Sequence, residues 1–121
     1  MMNITIENKE YTREGGQFCF GIGEDCAISV NTIITGCDKE YSCATYEDGF
    51  MSERGGFVIE RVYVDYEIDT YYLINEELTR SEFLEKSGMS ETELEEIEKS
   101  IIKTAVDYTE QWAMDNPDAM L

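Results

Sequence analysis

Residues 90–114, SETELEEIEKSIIKTAVDYTEQWAM, restrict the fold more than any other stretch of the chain. Leu94, Ile97, Ile101, Ala105, Tyr108 and Trp112 recur at steps of three or four, which places them on one stripe of an α-helix. The far side of the first two turns carries Glu91, Glu93, Glu95, Glu96 and Glu98. Such a helix must lay its apolar seam on another element and leave its acids to water or to a partner.

The residues before it mark two helix starts. Thr79-Arg80-Ser81-Glu82 and Ser90-Glu91-Thr92-Glu93 both have the capping-box pattern. Leu78 with Phe83, and Met89 with Leu94, stand where a hydrophobic staple needs them. Gly88 suits a left-handed stop and Lys86 suits the last turn before it. Asn116-Pro117 closes the second helix. The pattern predicts a short helix over 80–87 and a long one over 91–114.

Upstream the period is two. Residues 3–7, 17–22 and 26–35 alternate and are separated by turns too short for a crossover helix, so an antiparallel meander is expected. Residues 41–46 and 50–54 are candidate strands around Asp48-Gly49, a strong hairpin dipeptide. Residues 57–74, FVIERVYVDYEIDTYYLI, exceed the usual strand length, so a bend, bulge or turn near Asp69-Thr70 is expected to divide them into two strands. Val58, Val62, Val64, Tyr66, Ile68, Tyr72 and Ile74 share one parity there; Tyr63, Asp65, Glu67, Asp69 and Tyr71 share the other. The expectation is one α+β domain over 1–121. Residues 1–78 supply about four to six antiparallel strands, and 79–118 supply an α-hairpin packed on one face.

Charge narrows the partners. Twenty-seven acids against nine bases give a net charge of −18 over 121 residues. Residues 60–98 alone hold 13 acids and 3 bases. Such a surface repels nucleic acid and anionic membranes, and attracts basic proteins and divalent cations. No secretory leader or membrane-length apolar run is evident, so a cytoplasmic location is expected, with Cys19, Cys26, Cys37 and Cys43 as thiols. Cys19, in an apolar run, is expected to fill the core.

Catalytic and metal chemistry find no footing. The chain has no histidine, hence no Ser-His or Cys-His pair. Gly21-Ile22-Gly23 is too short for a phosphate loop, and Glu24-Asp25 beside it would repel phosphate. The cysteines lack a C-x-x-C knuckle. Asp65-x-Glu67-x-Asp69 alternates like a calcium loop, with Glu76 at the twelfth position, but Thr70 stands where the loop requires glycine. No enzyme activity, cofactor or metal is therefore expected. FLEKSGMSETELEEI has a helix-turn-helix outline, yet its second helix presents five glutamates before its first base, Lys99, which excludes direct DNA binding.

The same acids suit the inverse role. Asp65, Glu67 and Asp69 would project from a strand face at ~6.7 Å steps. Glu91, Glu95 and Glu98 would line a helix face at roughly 5–6 Å. Both separations are phosphate-like. With Tyr63 and Tyr71 as neighbouring aromatic anchors, these residues form the expected partner-binding set. The expected partner is a basic protein, a nucleic-acid-binding enzyme or a nuclease. In charge and length alone the chain is similar to two classes of acidic binders: phage anti-defence proteins (anti-restriction or anti-CRISPR) and toxin immunity proteins. The alternative is a structural or assembly protein whose acidity serves solubility, forming a homodimer through its β-rich face.

Overall fold

The computed structural model describes residues 3–42, 46–47, 50–51 and 56–117. Its elements are β1 (Ile4–Thr12), β2 (Gly15–Ile22), β3 (Cys26–Ser42), β4 (Tyr46–Glu47), β5 (Phe50–Met51), β6 (Gly56–Leu73), β7 (Glu76–Leu78), α1 (Arg80–Ser87) and α2 (Glu91–Asp115). Five strands form an antiparallel sheet in the order β1-β2-β3-β6-β7, with the small β4–β5 hairpin inserted between β3 and β6. Both helices follow the strands, and the fold is the α+β arrangement expected.

The long β3–β6 ribbon departs from expectation in two places. β3 does not stop at residue 35 but runs on to Ser42. The register passes from Ile34↔Val64 to Gly36↔Tyr63, so Thr35 is a bulge rather than a strand end. β6 has the expected irregularity, a bulge at Asp69, but does not divide into two strands. The pairs Val30↔Ile68 and Ser29↔Thr70 leave Asp69 as an extra residue, and β3 continues to template β6 on both sides of it. This bulge shifts the parity by one, so Tyr71, not Tyr72, joins the buried side. A third extra residue, Glu60, lies between the pairs Asp38↔Arg61 and Lys39↔Ile59.

The hairpin expected at Asp48-Gly49 is flanked by the pairs Tyr46↔Met51 and Glu47↔Phe50. The dipeptide itself and residues 52–54 of the expected return strand lie outside the described residues. β6 and β7 are joined by a two-residue turn closed by Leu73↔Glu76, with Ile74 at φ 49° and Asn75 at φ 63°. That is the primed hairpin geometry, which asparagine tolerates and which the β-branched Ile74 adopts only under strain.

Both helices start where the sequence predicts, with the full capping box at α1 and the Ser90 half of it at α2. The Thr79 hydroxyl accepts from the Glu82 N–H within a full capping box, Gly88 stops α1 at φ 71°, and the Ser90 hydroxyl accepts from the Glu93 N–H. α2 crosses one face of the sheet. Phe18, Phe20, Ile22, Ile28, Val30 and Tyr71 of the sheet close over Phe83, Leu94, Ile101 and Ala105 of the helices. The buried seam of α2 continues through Thr109 and Ala113 rather than through Tyr108, which is 41% exposed. Ala105, Thr109 and Ala113 are small and four apart, so this row can approach the sheet closely. The Tyr108 ring instead lies under the Lys9 ammonium, 4.8 Å from its centroid.

Thr109 brings a hydroxyl into the core, and all of its bonds are made. It lies 2.6 Å from the Thr32 hydroxyl and donates to the Ala105 carbonyl, while Thr32 accepts from the Gly16 N–H. Cys19 does not fill the core. It alternates with Phe18 and Phe20, which take the helix side, and so it falls on the open face between Asn8 and Ser29, beside Glu7. Burial, and then the Glu7 carboxylate, push its thiol pKa up, so the group stays a protonated thiol.

Candidate acidic interface

The eight residues singled out from the sequence do not form one surface. Tyr63, Asp65 and Glu67 stand together on the open face of β6, opposite Gly36, Ile33 and Asn31 of β3. Asp69 sits in the bulge beside them, and its carboxylate accepts from the Thr70 hydroxyl. The helix acids lie on the opposite side of the sheet. Of these, Glu95 is exposed, and Glu91 is exposed but 3.4 Å from the Arg80 guanidinium.

Tyr71 and Glu98 are not surface anchors at all. The bulge at Asp69 turns Tyr71 inward, where its ring packs on Phe83 with centroids 5.4 Å apart. Its hydroxyl donates to the Glu98 carboxylate. Arg80 Nη2 donates to the same carboxylate at 3.0 Å and its Nε at 3.2 Å. Only 13% of the Glu98 side chain remains exposed. Burial, and then the bond to Glu98, push the Tyr71 pKa well up, so the phenol stays neutral and donating. Glu98 therefore fixes α2 to α1 and the sheet, and it is removed from the partner-facing set.

Sequence reasoning missed three acids at the other end of the ribbon. The bulge at Glu60 brings its carboxyl into a hydrogen bond with Glu40, and Asp38 is close by. The Glu40 bond first, and then the Glu40 charge, raise the Glu60 pKa above its ordinary 4.5. The Tyr63 hydroxyl donates to Asp38 at 2.7 Å, and the Arg61 guanidinium lies 5.8 Å from the Tyr63 ring centroid. Only the pairing of β3 with β6 unites these residues; along the sequence they are about twenty apart.

The ion pairs Arg80–Glu91, Arg80–Glu98, Lys86–Glu76 and Lys103–Asp107 all involve the helices. Asp65, Glu67 and Asp69 have no ion-pair partner among the described residues. Two open depressions border them. One, of about 300 Å³, is lined by Glu10, Glu14, Gln17, Asn31 and Glu67 around Gly15 and Gly16. The other, of about 540 Å³, follows residues 61–65 of β6 and is walled by Glu110 of α2. Both offer hydrogen-bond acceptors and carboxylates, the chemistry that receives guanidinium and ammonium groups, although Arg61 also lines the second.

No group of three or more histidine, cysteine or acidic side chains among the described residues is placed to hold a metal ion. Among those residues no helix is long and apolar enough to cross a membrane. No protein-family model, curated protein or solved structure matches the chain.

Proposed function

We propose that this chain is a non-enzymatic acidic protein that binds a basic, nucleic-acid-handling protein and blocks it, with carboxylates standing where that protein meets phosphates. The biological settings that suit such a molecule are phage anti-defence, as in anti-restriction or anti-CRISPR proteins, and neutralisation of a toxin nuclease in the cytoplasm. The observation that carries this reading is the run of carboxylates along β6. Asp65, Glu67 and Asp69 lack ion-pair partners among the described residues, and Glu60 lies close to Glu40 of β3 at one end. Crowding like charges raises the energy of the free protein. A cationic groove relieves that cost on binding, and it also speeds encounter.

The test is capture on the immobilised chain from lysate of the source cells, washed at rising salt. The expected result is a basic nucleic-acid-handling protein that salt releases and duplex DNA displaces. Asp65→Lys with Glu67→Lys should abolish its capture while Glu98 is left intact. Capture unaffected by salt, by DNA and by this double variant would remove the reading.

The second reading is a self-associating structural protein whose acidity serves solubility. It draws less support, because the open sheet face carries a polar row, Glu10, Gln17, Asn31 and Glu67, on four adjacent strands. An apolar dimer interface normally has its charged residues depleted at the centre.

A further inference from the structure

We infer that the free edge of β6 receives an extended basic segment of the partner as an added strand, with its cations on the Asp65–Glu67 side; this rests on the acidic-binder reading above. β6 pairs with β3 along its whole length, but on its other side β7 covers only Tyr71 to Leu73. The remainder of that edge has no strand beside it among the described residues. Long open edges are templates for strand addition, and chains usually cover or shorten them. Among the described residues this stretch of edge carries charge and is bounded by the bulges at Glu60 and Asp69.

The geometry between the bulges is regular. From Arg61 to Ile68 β6 has no extra residue, which is enough length for a paired strand. The Tyr63 carbonyl accepts from the Thr35 hydroxyl of β3 and so points inward. Alternation then turns the N–H and C=O groups of Val62, Val64, Tyr66 and Ile68 outward. One of these, the Tyr66 N–H, donates at 2.9 Å to the Asp65 carboxylate of its own strand. An incoming carbonyl can replace that carboxylate, which frees Asp65 for a cation. The 540 Å³ groove beside residues 61–65 gives the added side chains room.

Side-chain alternation defines what fits. On the open face an added strand meets Asp65 and Glu67; on the helix side it meets Val64 and the half-exposed ring of Tyr66. The matching segment alternates Lys or Arg with β-branched or aromatic residues. A second copy of the chain is disfavoured, because Glu60, Asp65, Glu67 and Asp69 would face their own kind with Arg61 as the one base on that stretch.

The probes are three nine-residue peptides titrated onto the intact chain at low salt: alternating Lys and Val, the same composition with the lysines in one block, and the alternating peptide N-methylated at every second residue. Strand addition predicts that the alternating peptide binds and slows amide exchange at Val62, Val64, Tyr66 and Ile68 by at least about tenfold. It also predicts that block order and N-methylation each weaken binding by about tenfold or more, since N-methylation removes ladder bonds and leaves charge unchanged. Equal binding of all three peptides, without amide protection, overturns strand addition and leaves the acidic-binder reading standing. Absence of binding by every peptide overturns both. Slowed exchange that depends on protein concentration alone overturns it in favour of a second copy.

Discussion

Replacing Glu98 by alanine separates the structural acids from the partner-facing ones. The Tyr71 hydroxyl and the Arg80 guanidinium both converge on this carboxylate, which is 13% exposed. A hydrogen bond to a charged group in a partly buried site contributes about 1.5–3 kcal/mol, and its loss leaves a phenol without a partner. The Arg80 side chain is 35% exposed and can turn to Glu91 or to water, so its share is discounted to about 0–1 kcal/mol. The sum, about 3 kcal/mol, corresponds to a fall of about 2 M in the urea midpoint for a slope near 1.5 kcal/mol/M. Glu95→Ala removes the same unit charge from an exposed site on the same helix and should stay within about 0.5 kcal/mol of the parent. Urea unfolding followed by far-ultraviolet circular dichroism reads both variants. Equal midpoints for the two would refute the claim that Glu98 fastens the helices to the sheet.

Three further perturbations follow from the same structure. Ile74→Gly relieves a β-branched residue, itself 72% exposed, at φ 49°, and should raise stability by about 1 kcal/mol; an unchanged or lower thermal midpoint would count against the strain. Thr109→Val removes the hydroxyl that meets Thr32 at 2.6 Å and should cost about 1–2 kcal/mol in urea unfolding, whereas a neutral result would mean that the hydroxyl chain does not hold α2 to the sheet. The folded Glu60 pKa lies above the unfolded 4.5, so the folded state holds the proton longer and this group makes stability fall as pH rises between those two values. Glu60→Gln should flatten that fall. A carbon-detected titration that places Glu60 at or below 4.5 would contradict the shared hydrogen bond with Glu40.

What the sequence made legible was local. The caps at Thr79 and Ser90 and the stop at Gly88 depend on residues within one turn, and both helices begin where those signals lie. The alternation of β2 and β3 likewise marks the core face, with Phe18, Phe20, Ile28 and Val30 buried. What stayed hidden depends on pairing. An irregularity near Asp69-Thr70 is expected from the sequence, but not its effect: the single extra residue at Asp69 reverses the parity beyond it and carries Tyr71 from the acid face to the core. Asp38 and Glu60 meet only because β3 runs past Gly36 against β6, and no local pattern announces that register. Of the eight site residues, Tyr63, Asp65 and Glu67 fall together because they lie between two bulges, where simple alternation holds. Glu98 looked like its neighbour Glu95 because helical spacing reports a direction around the axis, not the packing of α1 beside it.

The proposed function requires that unneutralised carboxylates along β6 occupy a cationic, nucleic-acid-handling surface. It is tested most directly by measuring the affinity of the chain for the protein that it captures across a salt series, with and without competing duplex DNA. Affinity should fall steeply as salt rises, duplex DNA should compete, and Asp65→Lys with Glu67→Lys should remove binding without lowering the unfolding midpoint. Affinity indifferent to salt and to DNA, or a chain that binds only itself, would contradict it.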